Sequence, residues 1–132
     1  MVFVDTSYLV AAAAPRDQHH ERALQLQGVL SRGQLLTTNH VLGEAWILAL
    51  RRSTRDRAMQ IVRRVHRSPR FTVIRPDPEI EDRAWTWLFR HGEREYSFVD
   101  AVSFEVMRAQ RVTDVLTFDA DFEAAGFRVL RA

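Results

Sequence analysis

The sequence opens with Val2-Phe3-Val4-Asp5-Thr6-Ser7, three β-prone apolar residues followed directly by three polar ones. The apolar residues predict a strand, and the polar residues can cap a helix over residues 8–14. The alternation continues, with helices between further strands predicted at residues 35–37, 71–74, 115–117 and 127–130. This pattern predicts an α/β domain with a central, mostly parallel five-stranded sheet that is covered by helices on both faces.

The length and composition of the chain limit its class. At 132 residues it has the usual size of one domain, so we expect a single domain over residues 1–132. The absence of cysteine excludes disulfides and thiolate zinc sites and favours a reducing, cytoplasmic compartment. The longest apolar stretch, residues 8–14, is far shorter than the roughly 20 residues that cross a bilayer, so we expect no membrane association.

The basic residues of the chain are all arginines, nineteen in number. The absence of lysine argues against Walker-type nucleotide binding, Schiff-base chemistry and receiver-domain phosphotransfer, because each needs a lysine at a fixed place. Eight of the arginines lie between Arg51 and Arg70, against a single acid, Asp56. A helix predicted there places Arg63 and Arg67 away from its apolar stripe. The segment indicates either a polyanion-binding surface or a solvated helix face.

Acidic residues follow two of the predicted strands. Asp5 comes directly after the first strand, and Asp119 and Asp121 come just after the fourth. The carboxyl ends of parallel strands lie at one edge of a sheet, where open α/β sheets bind their ligands. We therefore expect these carboxylates to lie close together.

Two further acids can reach the same edge from helices. Glu44 lies in the first turns of the helix after the second strand, beside the apolar stripe that predicts the buried face. Asp100 lies in the first turn of a helix opened by Ser97, where free backbone amides and the helix dipole favour a carboxylate. Four separated parts of the chain can thus contribute carboxylates to one site.

Crowded carboxylates repel one another unless a cation offsets their charge. Mg²⁺ and Mn²⁺ prefer oxygen ligands, and either ion can activate a bound water for attack on phosphorus. The acids therefore predict a divalent-metal site that hydrolyses a phosphodiester bond. The alternative is that each acid is a helix cap or a solvated residue, and Ser97 with Asp100 does match a capping box. Convergence of several acids on one edge favours the metal site.

Four short motifs occur in order along the chain: Val4-Asp5-Thr6-Ser7, Leu36-Thr37 to Glu44, Ser97-Phe98-Val99-Asp100-Ala101, and Thr117 to Phe122. In this order they resemble the motifs of the PIN-domain nucleases, and specifically those of the VapC-type toxins of bacterial toxin–antitoxin pairs. The resemblance covers the whole chain, and none of the acidic positions is missing.

The resemblance implies a three-layer α/β/α PIN-like fold and RNA cleavage that depends on Mg²⁺ or Mn²⁺. Cleavage would leave a 5′-phosphate and a 3′-hydroxyl. The metal-binding and catalytic carboxylates implied by the resemblance are Asp5, Glu44, Asp100 and Asp119. Asp121 is a second candidate metal ligand beside Asp119. Ser7 and Thr6 would orient a carboxylate or a metal-bound water, and Thr117 would help to orient the metal ligands without binding the metal itself.

Partners also follow from the resemblance. It implies an RNA substrate, a cognate VapB-type antitoxin that covers the active-site groove, and a homodimer. With RNA as the polyanion, Arg63 and Arg67 become candidates for contact with the RNA backbone, which supplies salt-dependent affinity with little sequence preference.

Three alternative functions stay open at this point. A PIN-domain nuclease that processes RNA without being a toxin would carry the same residues. A phosphatase with an aspartyl nucleophile normally has Asp-x-Asp after the first strand, whereas this chain has Asp5-Thr6-Ser7. In a non-catalytic RNA- or protein-binding domain the acids would only be caps, and metal dependence of RNA cleavage discriminates that case.

Two further features have ordinary structural explanations. Trp85 and Phe89 form an aromatic pair one helical turn apart, opposite the predicted core stripe. They can form additional core, which we favour, or be covered by a partner. His19 and His20 are adjacent and cannot chelate one metal ion together, so we expect exposed histidines.

Overall fold

The computed structural model describes residues 1–29 and 33–131. Its five strands are β1 (Val2–Val4), β2 (Leu35–Thr38), β3 (Phe71–Ile74), β4 (Asp114–Leu116) and β5 (Arg128–Val129). Its helices are α1 (Thr6–Ala13), α2 (His20–Val29), α3 (Asn39–Arg52), α4 (Arg55–Arg67), α5 (Pro78–Arg90), α6 (Phe98–Ala109) and α7 (Asp121–Ala124). The predicted α/β class is confirmed.

The five strands form one parallel sheet in the order β3-β2-β1-β4-β5. The chain adds β2 and β3 on one side of β1, then returns and adds β4 and β5 on the other side. Because crossovers between parallel strands are right-handed, this reversal places α1 to α4 on one face and α5 to α7 on the other. The result is the expected three-layer α/β/α arrangement. The direction of winding changes between β1 and β4, and a crevice at such a point is where open sheets bind ligands.

The core lies on both faces of the sheet. All residues of β1 and β2 are buried, as expected for central strands of a parallel sheet. Phe104 of α6 packs edge-on against Phe122 of α7, and Phe122 also lies against Phe3 of β1. These three rings are fully buried and join the α6–α7 layer to the sheet.

Several helices begin at residues whose side chains cap them. The hydroxyl of Thr38 accepts a hydrogen bond from the Val41 amide at 3.0 Å, and Thr54 does the same for Arg57 at 3.2 Å. The Asp77 carboxylate caps α5, which has proline at its first position. The short α7 is followed by Gly126 with a φ of +101°, a conformation that favours glycine.

Some predicted boundaries were wrong by a few residues. α1 begins at Thr6 rather than at residue 8, α2 begins at His20 rather than near Gln18, and the last strand is limited to Arg128–Val129. β3 is an edge strand, and only part of its surface is buried.

The expectations for two aromatic features were also wrong. Phe89 is 83% exposed and Trp85 is 46% exposed, so this pair does not extend the core. Trp85 packs instead against Phe98 at the start of α6, with ring centroids 4.2 Å apart. His19 is only partly exposed, because its ring stacks on that of Phe118 at 4.5 Å. Among the described residues, no helix combines the length and apolar character that a bilayer span requires.

Candidate active site

The crevice between β1 and β4 contains a buried aspartate held by hydroxyl groups. Asp5 follows β1, is 4% exposed, and accepts hydrogen bonds at its Oδ2 from Thr117 Oγ1 at 2.8 Å and Ser7 Oγ at 3.1 Å. Asp5 occupies the N-cap position of α1, yet its side chain makes no capping hydrogen bond. Capping therefore does not explain this carboxylate, and its orientation depends on the hydroxyls of Ser7 and Thr117.

The same hydroxyls position the loop after β4. Ser7 Oγ accepts a hydrogen bond from the Phe118 amide at 2.9 Å, and Thr117 Oγ1 accepts one from the Asp119 amide at 3.0 Å. The Asp121 amide in turn donates to Asp119 Oδ1 at 3.1 Å. This chain of hydrogen bonds joins the end of β1 to the loop that contains both Asp119 and Asp121.

Asp100 reaches the crevice from the first turn of α6. It forms a capping box with Ser97, in which the Asp100 amide donates to Ser97 Oγ at 3.0 Å and Asp100 Oδ2 accepts from the Ser97 amide at 3.1 Å. Although it is a cap, Asp100 is only 7% exposed. One carboxylate oxygen from each of Asp100, Asp119 and Asp121 lies within 4.8 Å of the other two. We call these three residues the aspartate cluster.

Glu44 and Thr6 lie at the side of the site formed by α3. The first turns of α3 and α6 come together, with the rings of His40 and Phe98 5.8 Å apart. Glu44 is partly buried and forms no hydrogen bond or ion pair with any described residue, but its charge acts on Asp5 and raises the pKa of that carboxyl. The Thr6 hydroxyl donates to the Val41 carbonyl at 3.5 Å, so it is directed at α3.

The structure adds one residue that the sequence analysis did not single out. Arg94, in the loop between α5 and α6, donates from Nε at 3.0 Å and from Nη2 at 2.9 Å to a single oxygen of Asp121. A guanidinium therefore lies beside the aspartate cluster. The two residues are far apart in sequence, and no local pattern marks Arg94 among nineteen arginines.

The pKa values of the site reflect burial and crowding. Burial raises the pKa of Asp5 to about 6, although the Thr117 hydroxyl, the Thr6 backbone and the Ser7 hydroxyl act in the opposite direction. Burial also raises the pKa of Asp100 to about 7, and the negative charges of Asp5, Asp121 and Asp119 add to this rise. The pKa of Asp119 is raised too, first by burial. The carboxylates are therefore costly to ionise together without a cation.

The residues fit a hard divalent cation. The aspartate cluster and the neighbouring Asp5 offer only carboxylate oxygens, the ligands that Mg²⁺ and Mn²⁺ prefer. A bound cation would favour the ionised form of each carboxyl and so reverse the unfavourable effect of burial. Such a site can align and activate a water for attack on a phosphodiester.

The arginines of α4 lie apart from the acids. Arg63 and Arg67 are exposed and line a hollow of about 650 Å³ on the surface of α4 together with Arg57 and Arg64. None of the candidate acids lines that hollow. Arg63 and Arg67 therefore line a hollow that is separate from the acids.

A family model and a characterised relative both match this chain. The model of the PIN domain matches residues 2–128. The sequence is 43% identical over 131 residues to the 23S rRNA-specific endonuclease VapC20 of Mycobacterium tuberculosis, a match that covers 99% of this chain and 98% of that protein. The motifs on which the resemblance was based thus lie within a similarity that spans the chain.

Solved structures show the same fold. The crystal structure of VapC20 from Mycobacterium tuberculosis, described as a sarcin–ricin loop cleaving toxin, is similar with a TM-score of 0.94 and 40% identity over the whole of both chains. VapBC2 from Rickettsia felis bound to a promoter DNA fragment is similar in fold, with a TM-score of 0.69 and 12% identity over 98% of each chain. A toxin–antitoxin complex from Klebsiella pneumoniae matches with a TM-score of 0.68 and 16% identity, over 98% of this chain and 96% of that one.

Proposed function

The chain belongs to the PIN domain family, and from this premise we propose that it is a divalent-metal-dependent endoribonuclease, the toxin of a toxin–antitoxin pair. The observation that supports this best is the convergence of Asp100, Asp119 and Asp121 within 4.8 Å, next to a buried Asp5 that caps no helix. A domain that only binds RNA or protein has no need of buried carboxylates with raised pKa values.

The metal ligands in this proposal are Asp5, Glu44, Asp100 and Asp119, with Asp121 as a further candidate. When bound, Mg²⁺ or Mn²⁺ supplies the charge that activates water for attack on the scissile phosphate. Ser7 and Thr117 hold the Asp5 carboxylate in one orientation, and Thr117 also holds the backbone of Asp119. This polar network restricts the orientation of the Asp5 carboxylate and of the loop that carries Asp119.

The proposed substrate is a loop of ribosomal RNA. The 23S rRNA-specific relative matches the full length of this chain, and a loop offers unstacked bases and an accessible backbone. We place the reaction at the sarcin–ricin loop, the element named for the neighbour with a TM-score of 0.94, with products that carry a 5′-phosphate and a 3′-hydroxyl. Ribosomal RNA as substrate implies action in the cytoplasm. Arg63 and Arg67 would contact the RNA backbone at the α4 surface.

The proposed protein partners are a VapB-type antitoxin and a second copy of the chain. Exposed apolar side chains support an interface that a partner covers, and they include Phe89, Trp85, Ile47 and Leu50. Sedimentation equilibrium of the parent protein and of Phe89→Ser tests the homodimer. A parent dimer that dissociates more readily after this substitution would support it, and a parent monomer would exclude it.

The decisive experiment is a cleavage assay on antitoxin-free protein. Purified protein is incubated with ribosomes, with naked 23S rRNA and with a loop oligonucleotide, in Mg²⁺, in Mn²⁺ and in EDTA. We expect a single cut in the loop with either metal and none in EDTA, and ligation of an adaptor to the downstream fragment identifies its 5′-phosphate. Cleavage that continues in EDTA would exclude the metal mechanism, and cleavage at many unrelated RNAs would favour an RNA-processing role over the toxin.

A further inference from the structure

A hollow different from the one on α4 adjoins the aspartate cluster on the side of α2. It has a volume of about 200 Å³ and is lined by His19 and Arg22 on one side and by residues 117–120 and Arg131 on the other. A neighbouring hollow of about 470 Å³ shares His19 and Arg22 with it. Asp119 forms part of the wall, so a group bound in this hollow, which we call the His19 hollow, lies next to the proposed metal site.

Three aromatic rings form a row that ends in the His19 hollow. The ring of Tyr8 faces Phe118 at 6.2 Å, and Phe118 stacks on His19 at 4.5 Å with an angle of 7° between the ring planes. Tyr8 is buried, whereas His19 is only partly buried and lines both hollows. The row is therefore closed at Tyr8 and accessible at His19.

Two residues of this row, Phe118 in the middle and His19 at the open end, are held in place by hydrogen bonds. The Phe118 amide donates to Ser7 Oγ at 2.9 Å, within the network that also holds Asp5. The His19 amide donates to Asp17 Oδ1 at 2.8 Å, which fixes the turn that precedes α2. Because its stacked neighbours are already ordered, a flat group that stacks on His19 loses little protein entropy on binding.

Two acids, Asp119 and Glu123, line the hollow together with Arg22 and Arg131, so an anionic ligand is favoured only beside an arginine that no acid pairs with. Arg131 is paired with Glu123 at 3.3 Å. Arg22 is exposed and forms no ion pair or hydrogen bond with any described residue. A free guanidinium next to an aromatic ring matches the two parts of a nucleotide, since the base stacks and the phosphate pairs with arginine.

We propose that the His19 hollow binds one unstacked nucleotide of single-stranded RNA beside the scissile bond, with its base on His19 and a phosphate on Arg22. The inference rests on the proposed function only in taking RNA as the ligand. The hollow is too small for a duplex, and this agrees with a substrate whose bases are splayed from a loop. His19 and Arg22 are thus residues that position RNA, separate from the acids that bind the cation.

Binding without cleavage tests the proposal. Fluorescein-labelled hexauridylate and hexaadenylate are titrated in EDTA at several KCl concentrations, with anisotropy as the signal. We expect His19→Ala to weaken binding about tenfold, the effect of losing one base–aromatic stack, with little change in salt dependence. Arg22→Gln should weaken binding. It should also make the slope of log K against log salt less negative by about 0.7, the contribution of one phosphate contact on a single strand.

Two further variants separate stacking and local charge from general effects. His19→Phe keeps an aromatic ring and should bind like the parent, while Arg90→Gln removes an exposed arginine of α5 that does not line the hollow. Parent-like binding by both His19→Ala and Arg22→Gln would overturn the proposal, and so would an equal loss in Arg90→Gln. RNA binding that depends on His19 in a protein that cleaves nothing would support the hollow and reject the proposed ribonuclease.

Discussion

Arg94 donates two hydrogen bonds, at 2.9 and 3.0 Å, to one carboxylate oxygen of Asp121. Asp121 belongs to the aspartate cluster. The Arg94 guanidinium therefore offsets part of the negative charge that a divalent cation would otherwise have to offset alone. The positive charge of Arg94 also acts to lower the pKa of Asp119. In the metal-free protein, Arg94 therefore offsets part of the repulsion among the carboxylates.

Removal of Arg94 is expected to strengthen metal binding. In Arg94→Gln the cluster loses its neighbouring positive charge, so a divalent cation meets a more negative site. Because the ion pair is partly exposed, we expect a modest gain, about threefold to tenfold in Mn²⁺ affinity by isothermal titration calorimetry. The same variant should be less stable than the parent in EDTA.

Arg128→Gln is a matched control for this measurement. Arg128 forms a similar pair with Asp114, at 2.7 and 2.8 Å, but at the opposite end of β4 from the cluster. Its removal should leave Mn²⁺ affinity unchanged. Equal Mn²⁺ affinity in Arg94→Gln and the parent would show that Arg94 does not compete electrostatically with the cation.

The raised pKa values predict that the metal-free protein becomes less stable as the pH rises. Asp5 titrates at about 6 and Asp100 at about 7 in the folded state, against about 3.9 for an aspartate in an unfolded chain. Between these values the folded state holds protons that the unfolded state has released, so the free energy of unfolding falls as pH rises through this window. Urea denaturation in EDTA from about pH 5 to pH 8 measures the decline.

Asp100→Asn is the control for this pH dependence. Asparagine can still accept the Ser97 amide hydrogen bond but cannot ionise, so the decline should become shallower. Saturating Mn²⁺ should remove most of the decline in the parent, because the cation stabilises the ionised carboxylates. Stability that rises from pH 5 to pH 8 in EDTA would contradict the assigned environment of these acids.

Much of the fold was predictable because its signals are local. Strand and helix alternation follows from apolar runs and caps such as Thr54 and Ser97, and the parallel sheet follows from that alternation. The position of Asp5 and Asp119 at one edge also follows, since Asp5 comes directly after β1 and Asp119 comes just after β4. The four motifs of the PIN domain resemblance added the order and identity of the acids.

The remaining features depend on contacts between distant parts of the chain. The Asp5–Thr117 and Arg94–Asp121 hydrogen bonds join residues whose sequence separation carries no periodic signal. Similarly, His19 is partly buried only because the loop after β4 brings Phe118 against it. The prediction that Phe89 belongs to the core was wrong. Helical spacing indicates which residues share a face, but it does not indicate whether a neighbouring element covers that face.

The arginines of α4 provide a test of RNA contact at a distance from the acids. Arg63→Ala with Arg67→Ala should weaken the binding of single-stranded RNA and reduce the slope of log K against log salt by about 0.7 for each lost phosphate contact. Arg83→Ala with Arg90→Ala on α5 removes the same charge elsewhere. This control should keep a steeper salt dependence than the Arg63/Arg67 double variant. If both double variants give the parent slope, Arg63 and Arg67 belong to a solvated helix face.

Substitution of the acids by asparagine separates catalysis from capping. Asp5→Asn, Asp100→Asn and Asp119→Asn are made one at a time, together with Asp77→Asn, which changes a cap of α5 that does not belong to the aspartate cluster. Asparagine caps a helix about as well as aspartate, so all four variants should fold. We expect RNA cleavage to fall by at least about tenfold in the three site variants, the lower range for loss of a group that supports a metal, and to stay unchanged in Asp77→Asn.

Stability with and without metal gives the independent measurement for the same variants. Without metal, each site variant loses one of several repelling carboxylates, so its thermal stability near pH 8 should equal or exceed that of the parent. With saturating Mn²⁺ the gain in melting temperature should be smaller than in the parent, because a charged ligand is missing. Both results are required together. Site variants that melt earlier in EDTA yet cleave RNA at the parent rate would show that these aspartates are structural, and the proposed metal site would be wrong.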